Sequence, residues 1–311
     1  MNLMIKSFVV LAACAALSAP AAAGVTAGVS PVFGTNNYHG LKANATLDLS
    51  DSMYLSPTLS TYRNDQSSGS LYSFGLRVGY EAGPLSLGAQ GSYLPKAGGY
   101  TQSTLGADVT LSLSPGGSKH GHRMAGPASE SSQSFGYGLA GIDIGAAVNH
   151  ITHTDDNFAA GAAGDALRRK GATRAKSITV GETDVTAFVG AKFMITELSA
   201  SVMKSAYDRR LEGNGLRESP FMSLSDYGAV EAGFPDSNYN LKLKWKTLPL
   251  VRPYVSFTHT NFKLGSTSSN ASEVGGNIGL QMLNLQAAYG RYTQKGYASR
   301  DYFSLGGSLN F

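Results

Sequence analysis

Between Leu41 and Ser50 the chain alternates without a break: Leu41, Ala43, Ala45, Leu47 and Leu49 interleave with Lys42, Asn44, Thr46, Asp48 and Ser50. A period of two is the repeat of a β-strand, whose successive side chains leave opposite faces. The same pattern returns along the sequence. Tyr72, Phe74, Leu76, Val78 and Tyr80 oppose Ser73, Gly75, Arg77, Gly79 and Glu81; Leu105 to Leu113 alternates with Thr104, Gly106, Asp108, Thr110 and Ser112. Tyr239, Leu241, Leu243 and Trp245 oppose Asn240, Lys242, Lys244 and Lys246, and the chain ends with Phe303, Leu305, Leu309 and Phe311 on one face and Ser304, Gly306, Ser308 and Asn310 on the other. Every one of these strands has to place one apolar face away from water, and the fold has to do so for all of them at once.

Read through from the start, the alternation predicts fourteen strands, at about 24–33, 41–50, 53–62, 72–81, 85–94, 101–113, 135–149, 183–195, 197–208, 238–247, 253–263, 273–282, 285–293 and 302–311. A break of parity at Ala140-Gly141 reads as a bulge in the seventh. Some connections are very short, as at Ser50-Asp51-Ser52, Ala82-Gly83-Pro84, Thr196 and Leu283-Asn284. Two long excursions fall near 150–182, where 159–170 has a short helical pattern, and near 209–236, where 227–234 has some strand character. If the first strand runs outward, connections after even strands are inner turns and those after odd strands are outer loops. The irregular stretch 114–134 breaks this rule: either it is an appendage on the inner side, or the count is off by a hairpin.

Composition agrees with many short strands and tight turns: 38 Gly, 16 Tyr and 13 Phe, with only 15% of residues charged. Mean hydropathy is −0.10, and no segment after the first two dozen residues approaches 18 consecutive apolar residues, so a bundle of membrane helices is excluded. Met1 to Lys6 carries one positive charge, an apolar run follows to Leu17, and Ala21-Ala22-Ala23 precedes Gly24, the pattern of a secretory signal peptide spanning 1–23. Leu11-Ala12-Ala13-Cys14 offers an alternative, a lipoprotein box with Cys14 acylated. Cys14 is the only cysteine, so cleavage after Ala23 leaves neither a disulfide framework nor a cysteine metal site. Removing Lys6 lowers the formal charge from +4 to +3, and acids and bases are interspersed, so nucleic acid is not expected as a partner. No cofactor is expected.

In a secreted chain built almost wholly of two-faced strands, the terminal strand with its aromatic last residue resembles the closing strand of a bacterial outer-membrane β-barrel. The resemblance covers the chain from Gly24 onward and is to an architecture, porin-like, rather than to one family. It implies an all-β, transmembrane, antiparallel up-and-down barrel of about 14 strands, 12–16 being compatible, in the outer membrane of a Gram-negative bacterium. It implies contact with membrane lipid and lipopolysaccharide, and with the barrel-assembly machinery through the C-terminal strand. A bilayer demands that every backbone polar group be paired internally, which among β structures only a closed sheet achieves. A soluble sandwich would carry more charge on its solvated faces.

With apolar faces toward lipid, Tyr72, Phe74, Tyr80, Trp245, Phe303 and Phe311 belong to interfacial aromatic girdles, an arrangement that cross-strand pairing in a soluble sheet would also produce. The lumen receives Lys42, Arg77, Lys192, Lys242, Lys244 and Lys246 together with Asp48, Glu81, Asp108, Asp143, Asp184 and Glu273. Lys242, Lys244 and Lys246 stack along one strand at about 6.6–6.8 Å per pair of residues, while Asp108, Asp143 and Asp184 lie on three consecutive strands. One reading is a set of structural ion pairs. The other is a pore with a basic wall facing an acidic one, the transverse field acting on polar solutes. The basic cluster Arg168, Arg169, Lys170, Arg174 and Lys176 has three roles open to it: an inward constriction, a contact for lipopolysaccharide phosphates, or a plain solvated loop.

Catalytic constellations are sparse. His150 and His153, with Asp155 and Asp156, have the spacing of a weak metal or acid–base site like that of an omptin-type protease; His120 and His122 are weaker still. Ser256 and His259 invite comparison with outer-membrane phospholipases and deacylases, but their parity sends them to opposite faces. The expected function is a porin-like passive channel for small hydrophilic solutes and not an enzyme. The alternatives are a structural or surface-interaction barrel without an open pore and, less favoured, an outer-membrane hydrolase.

Overall fold

The computed structural model describes residues 24–63, 70–97, 100–113, 140–155, 178–209, 211, 223–224, 230–231, 234–245, 250–264, 268–280 and 282–311. Its strands are β1 (Val25–Gly34), β2 (Tyr38–Ser50), β3 (Met53–Arg63), β4 (Leu71–Ala82), β5 (Leu85–Ala97), β6 (Tyr100–Leu113), β7 (Ala140–Asp155), β8 (Ile178–Phe193), β9 (Thr196–Tyr207), β10 (Ser223–Leu224), β11 (Val230–Glu231), β12 (Phe234–Trp245), β13 (Val251–Leu264), β14 (Ser268–Leu280), β15 (Leu283–Gln294) and β16 (Arg300–Asn310). Fourteen of them close into one antiparallel barrel, in which each strand pairs with its neighbours in sequence, β9 pairs with β12, and β16 returns to β1. β10 and β11 form a two-stranded hairpin within the connection from β9 to β12. Among the described residues there is no helix.

The alternation thus predicts the architecture and the strand number, while several boundaries move. The turn after β8 is Met194-Ile195, with Met194 in the left-handed region at φ 46°, and Thr196 already pairs with Phe193. β15 begins at Leu283, so Leu283-Asn284 is strand and not turn. β7 runs on to Asp155 and β8 starts at Ile178, so both ends of the expected excursion at 150–182 are paired strand. Strand also takes the end of the second excursion, since β12 starts at Phe234. β6 and β7 pair directly with each other, so 114–139 joins adjacent strands on the short-turn side and no hairpin is missing from the count. The bulge expected at Ala140 depends on residues before it, which lie outside the described ones. So do the leader 1–23, the helical pattern at 159–170, His120, His122, Asp156, Lys246 and the cluster Arg168 to Lys176.

Each pairing fixes a register, and following the registers around the closed sheet displaces the chain by about fourteen residues before it returns to β1. With about 4.8 Å between strands and about 3.4 Å per residue, that displacement tilts the strands by roughly 35° and gives a backbone radius of roughly 13 Å. Because displacement and strand number match, one step around the barrel climbs as far as one residue along a strand, roughly 2.8 Å. Heights of side chains on different strands can therefore be compared.

On that scale the outer surface divides sharply. From the rim of short turns upward, outward residues are apolar and exposed: Leu113, Leu111, Val109 and Leu105 on β6, Ile142, Ile144 and Val148 on β7, Val255 and Phe257 on β13, Leu280, Ile278 and Val274 on β14. At a common height the outward residues then become polar, with Ser103, His150, His259 and Asn270 on those same strands. The apolar belt spans about eight residue steps, roughly 22 Å, close to the ~25 Å band of transmembrane barrels. Above it the strands continue as a collar whose outer face is polar. Leu105, 72% exposed, and Phe193, 67% exposed, would be costly to leave in water on this scale around a whole circumference.

Inside the belt, two tyrosines lie across glycines that face them in register. Tyr54 pairs with Gly79 and Tyr254 with Gly275, and a methyl group added at either glycine would overlap the ring. A missing side chain here makes room for an aromatic one on the neighbouring strand.

Candidate functional site

The inner wall within the belt is polar and its charges are interleaved. Arg77 donates from Nε to the Tyr54 hydroxyl at 3.2 Å and from Nη2 to Asp108 Oδ1 at 2.9 Å, with Nη1 on the other carboxylate oxygen. Asp108 sits two strands away, and the guanidinium reaches it over Gly88, the residue in register with Asp108. Across the barrel, the Tyr254 hydroxyl donates to Glu273 Oε1 at 2.6 Å and accepts from Gln286 at 3.0 Å, while the Lys242 ammonium stands 4.1 Å from the Tyr254 ring centre. Lys192, Glu197 and Lys244 stand side by side in register on β8, β9 and β12. Neutral pairs fill the wall between: Gln90 with Asn149, Asn238 with Thr260, Asn240 with Thr258.

The described residues expected in the lumen therefore share the inward parity, but they do not form two facing walls of opposite sign. Asp108 is held by Arg77, and Glu197, absent from the expected set, separates Lys192 from Lys244. Lys242 is only 5% exposed. Asp143 lies near the short-turn rim, in register with Ser112 and Gly190, whereas Asp184 lies near the top of the belt and accepts from Ser205 at 2.6 Å. Lys42 stands in register with Ser30 and Ser60. Outward parity places Tyr80, Trp245 and Phe311 near the lower edge of the belt and Tyr72, Phe74 and Phe303 near the upper edge, joined there by Phe33, Tyr93, Tyr239 and Tyr289.

In the collar the polarity of the wall is reversed, and here sequence reasoning missed a set of residues. Val32, Tyr38, Tyr62, Leu71, Tyr292 and Tyr302 form one buried inward cluster on the β1–β4 and β15–β16 side, and Val180, Leu211 and Phe234 form another with Ile178 and Tyr207 on the opposite side. Tyr38 stacks on Tyr62 with ring centres 6.3 Å apart and meets Tyr302 edge-on at 5.3 Å. Phe234 meets Tyr207 at 5.8 Å and His153 at 5.6 Å, both edge-on. The signal for these residues was present as a phase break. Tyr38 and Leu41, Leu59 and Tyr62, Leu71 and Phe74, Val148 and Ile151, and Tyr289 and Tyr292 are apolar pairs three apart, an odd spacing that sends the two members to opposite faces.

His150 and His153 are separated by the same odd spacing. They point to opposite sides, so the proposed two-histidine site does not assemble. His150 faces outward beside Thr183 at 3.1 Å. His153 faces inward, its Nδ1 2.6 Å from the Tyr100 hydroxyl and its Nε2 2.8 Å from Glu182. Tyr100 donates onward to Gln102 Oε1 at 3.1 Å. Ser256 is inward and buried while His259 is on the outer side with Asn261 and Asn270, as their parity requires. Among the described residues no group of histidine, cysteine and carboxylate side chains could hold a metal ion.

No protein-family model and no curated protein matches the sequence. Solved structures do. CdiB from Acinetobacter baumannii is similar at 10% identity over 94% of this chain with a TM-score of 0.49, and the chain spans 61% of its length. OccK2 (OpdF) from Pseudomonas aeruginosa, solved in complex with glucuronate, is similar at 13% identity over 93% of this chain and 97% of that one, with a TM-score of 0.41. A loop-deletion variant of OmpT, an outer membrane protein of Vibrio cholerae, is similar at 11% identity over 93% and 98%, with a TM-score of 0.43. At such identities the likeness is one of fold, and the fold this chain resembles is that of outer-membrane β-barrels.

Proposed function

We propose that this chain is a porin-like passive channel of the Gram-negative outer membrane for small hydrophilic solutes. The observation that carries the reading is the pairing of an apolar outer belt with a hydrophilic inner wall in one closed sheet of fourteen strands. Lipid can solvate the outside, every strand has two partners, and the inside is lined by hydrogen-bonding groups. A radius of roughly 13 Å is well beyond that of eight-stranded barrels, whose own side chains fill the interior. In this reading Lys42, Arg77, Asp108, Asp143, Asp184, Lys192, Lys242, Lys244, Lys246 and Glu273 face the solute path. Arg168 to Lys176 and the outer collar meet lipopolysaccharide. β16 engages the assembly machinery before closure, since in the finished barrel both its edges are paired, with β1 and β15.

Planar-bilayer recording tests this. Purified protein gives a defined single-channel conductance, and replacing Lys242 and Lys244 by Gln moves the reversal potential in a salt gradient toward cation preference. A folded barrel that never conducts in any variant refutes the reading. A barrel without an open pore is the second reading, favoured by one observation: the buried apolar clusters of the collar.

A further inference from the structure

We propose that Glu182 and Asp184 hold a single proton between them, and that this proton is a pH switch for the β7–β9 side of the collar. With it the inward apolar cluster is closed; without it the cluster loosens. The inference stands on the barrel itself and needs no open pore.

The two carboxyl groups are neighbours. Residues two apart on β8 leave the same face, about 6.6–6.8 Å apart along the strand. Both project inward, Glu182 2% and Asp184 5% exposed, and their carboxyl groups interact directly. From β7, His153 Nε2 lies 2.8 Å from Glu182 Oε2; from β9, the Ser205 hydroxyl donates to Asp184 Oδ1 at 2.6 Å. Glu182 Oε1 is buried and meets no donor. An ionised Asp184 offers it none, whereas a proton between the two carboxyl groups satisfies it.

The surrounding groups do not replace that proton. The Tyr207 hydroxyl also lies near Glu182, but it donates its one hydrogen to the Pro235 carbonyl at 2.5 Å. Tyr100 donates to Gln102. The Lys263 ammonium stands 5.6 Å from the centre of the Tyr207 ring. Lys204 and His150 face outward, to Asp236 and Thr183. Among the described residues His153 is the one basic side chain that pairs with either carboxyl group. Two ionised carboxylates side by side, out of water and with one basic partner, repel strongly, so the pair keeps one proton and titrates as a unit.

This pair sits at the foot of the second collar cluster. Val180 is two residues above Glu182 on the same face, Tyr207 is in register with Glu182, and Phe234 packs edge-on against both Tyr207 and His153. Loss of the shared proton puts a second negative charge beneath these apolar side chains. Hydrating it requires the cluster to part.

The sign follows from linkage. In the unfolded chain each carboxyl releases its proton near pH ~4. From there up to the pH at which the folded pair lets go, the folded state holds one proton more than the unfolded. Over that window the pair's contribution to the folding constant falls about tenfold per pH unit as pH rises, and above it the contribution levels off.

The test uses the full chain folded in lipid vesicles, as wild type, Asp184→Asn and Glu182→Gln. Each amide keeps the side-chain shape, supplies an N–H and removes the titration. Relative to Asp184→Asn, wild type should lose stability to chaotrope about tenfold per pH unit above pH ~4 and then level off, while the two variants run parallel to each other. Above the levelling pH, amide hydrogen exchange along β8 from Ile178 to Asp184 should be faster in wild type than in Asp184→Asn at the same pH; below it the two should match. At about pH 6, where an ordinary carboxyl is ionised, wild type should show the infrared carbonyl stretch of a protonated carboxyl that Asp184→Asn lacks. Should neither amide variant fold, Ser205→Ala replaces them: it removes a donor to the ionised form, so that band should persist to higher pH than in wild type. Absence of the band in wild type, or parallel stability profiles for wild type and Asp184→Asn, overturns the shared proton. A titrating band with β8 exchange unchanged across its titration overturns the switch.

Discussion

A single arginine moved along the outer face of β6 measures whether the apolar belt meets lipid. Val109 lies about four residue steps above the lower edge of the belt, near its midplane, and is 39% exposed; Ser103 lies six residues further along the same strand, roughly 17 Å higher and above the belt. Both side chains point outward, so neither substitution touches the lumen. In a bilayer an outward arginine costs about 2–4 kcal/mol at the midplane and about 0–1 kcal/mol near the interface. Val109→Arg should therefore weaken folding by about thirty- to nine-hundredfold and Ser103→Arg by less than about fivefold. The assay is reversible unfolding by chaotrope in lipid vesicles, followed by the fluorescence of Trp245, the only tryptophan. Leu105→Arg, near the upper edge, should fall between the two. Equal costs at the three positions, or a larger cost at Ser103, would mean that the outer surface is not graded by depth, and the membrane assignment would fail.

Other consequences are local. Arg77→Ala leaves the Asp108 carboxylate, 5% exposed, without its cation and should cost about 3–5 kcal/mol in the same assay, with Arg77→Ala plus Asp108→Ala recovering part of the loss. Gly79→Val drives a side chain into the Tyr54 ring and should cost about 1–3 kcal/mol, and Tyr54→Ala in that background should relieve it rather than add to it. The pair Lys204–Asp236, at 2.6 Å but with the lysine 64% exposed, should contribute no more than about 1 kcal/mol, read as the small effect of Asp236→Asn at low salt.

What the sequence carried depended on the range of the interaction. Alternation is a property of neighbouring residues, so the faces of β2, β4, β6 and the end of β16 could be read directly, and with them the strand number. The Arg77–Asp108 contact could not. It crosses an intervening strand and requires that the residue between be glycine, and only the register places Gly88 there. The turn after β8 was misplaced for a related reason. Met194 adopts a left-handed backbone without the glycine or asparagine that would mark it. Glu197 was overlooked between two lysines because it opens its strand, where the pattern has not yet begun to repeat.

The missed collar residues follow from a rule that holds for only part of each strand. In lipid the favourable side for an apolar residue is the outside, because acyl chains solvate it. Above lipid the same wall has water outside, and the favourable side for an apolar residue becomes the inside. A strand crossing that boundary must exchange its faces, and with a strict period of two it does so only by skipping to odd spacing. β2, β3, β4, β7 and β15 each make the exchange with a three-residue step, at nearly the same height: Leu41 to Tyr38, Leu59 to Tyr62, Phe74 to Leu71, Val148 to Ile151, Tyr289 to Tyr292. Five independent strands changing phase at one level is not required by a soluble barrel, whose inside is apolar along its full length, nor by a barrel wholly immersed in lipid. It is what a barrel standing partly out of a membrane requires, and under the proposed reading it puts the outer lipid boundary at that height.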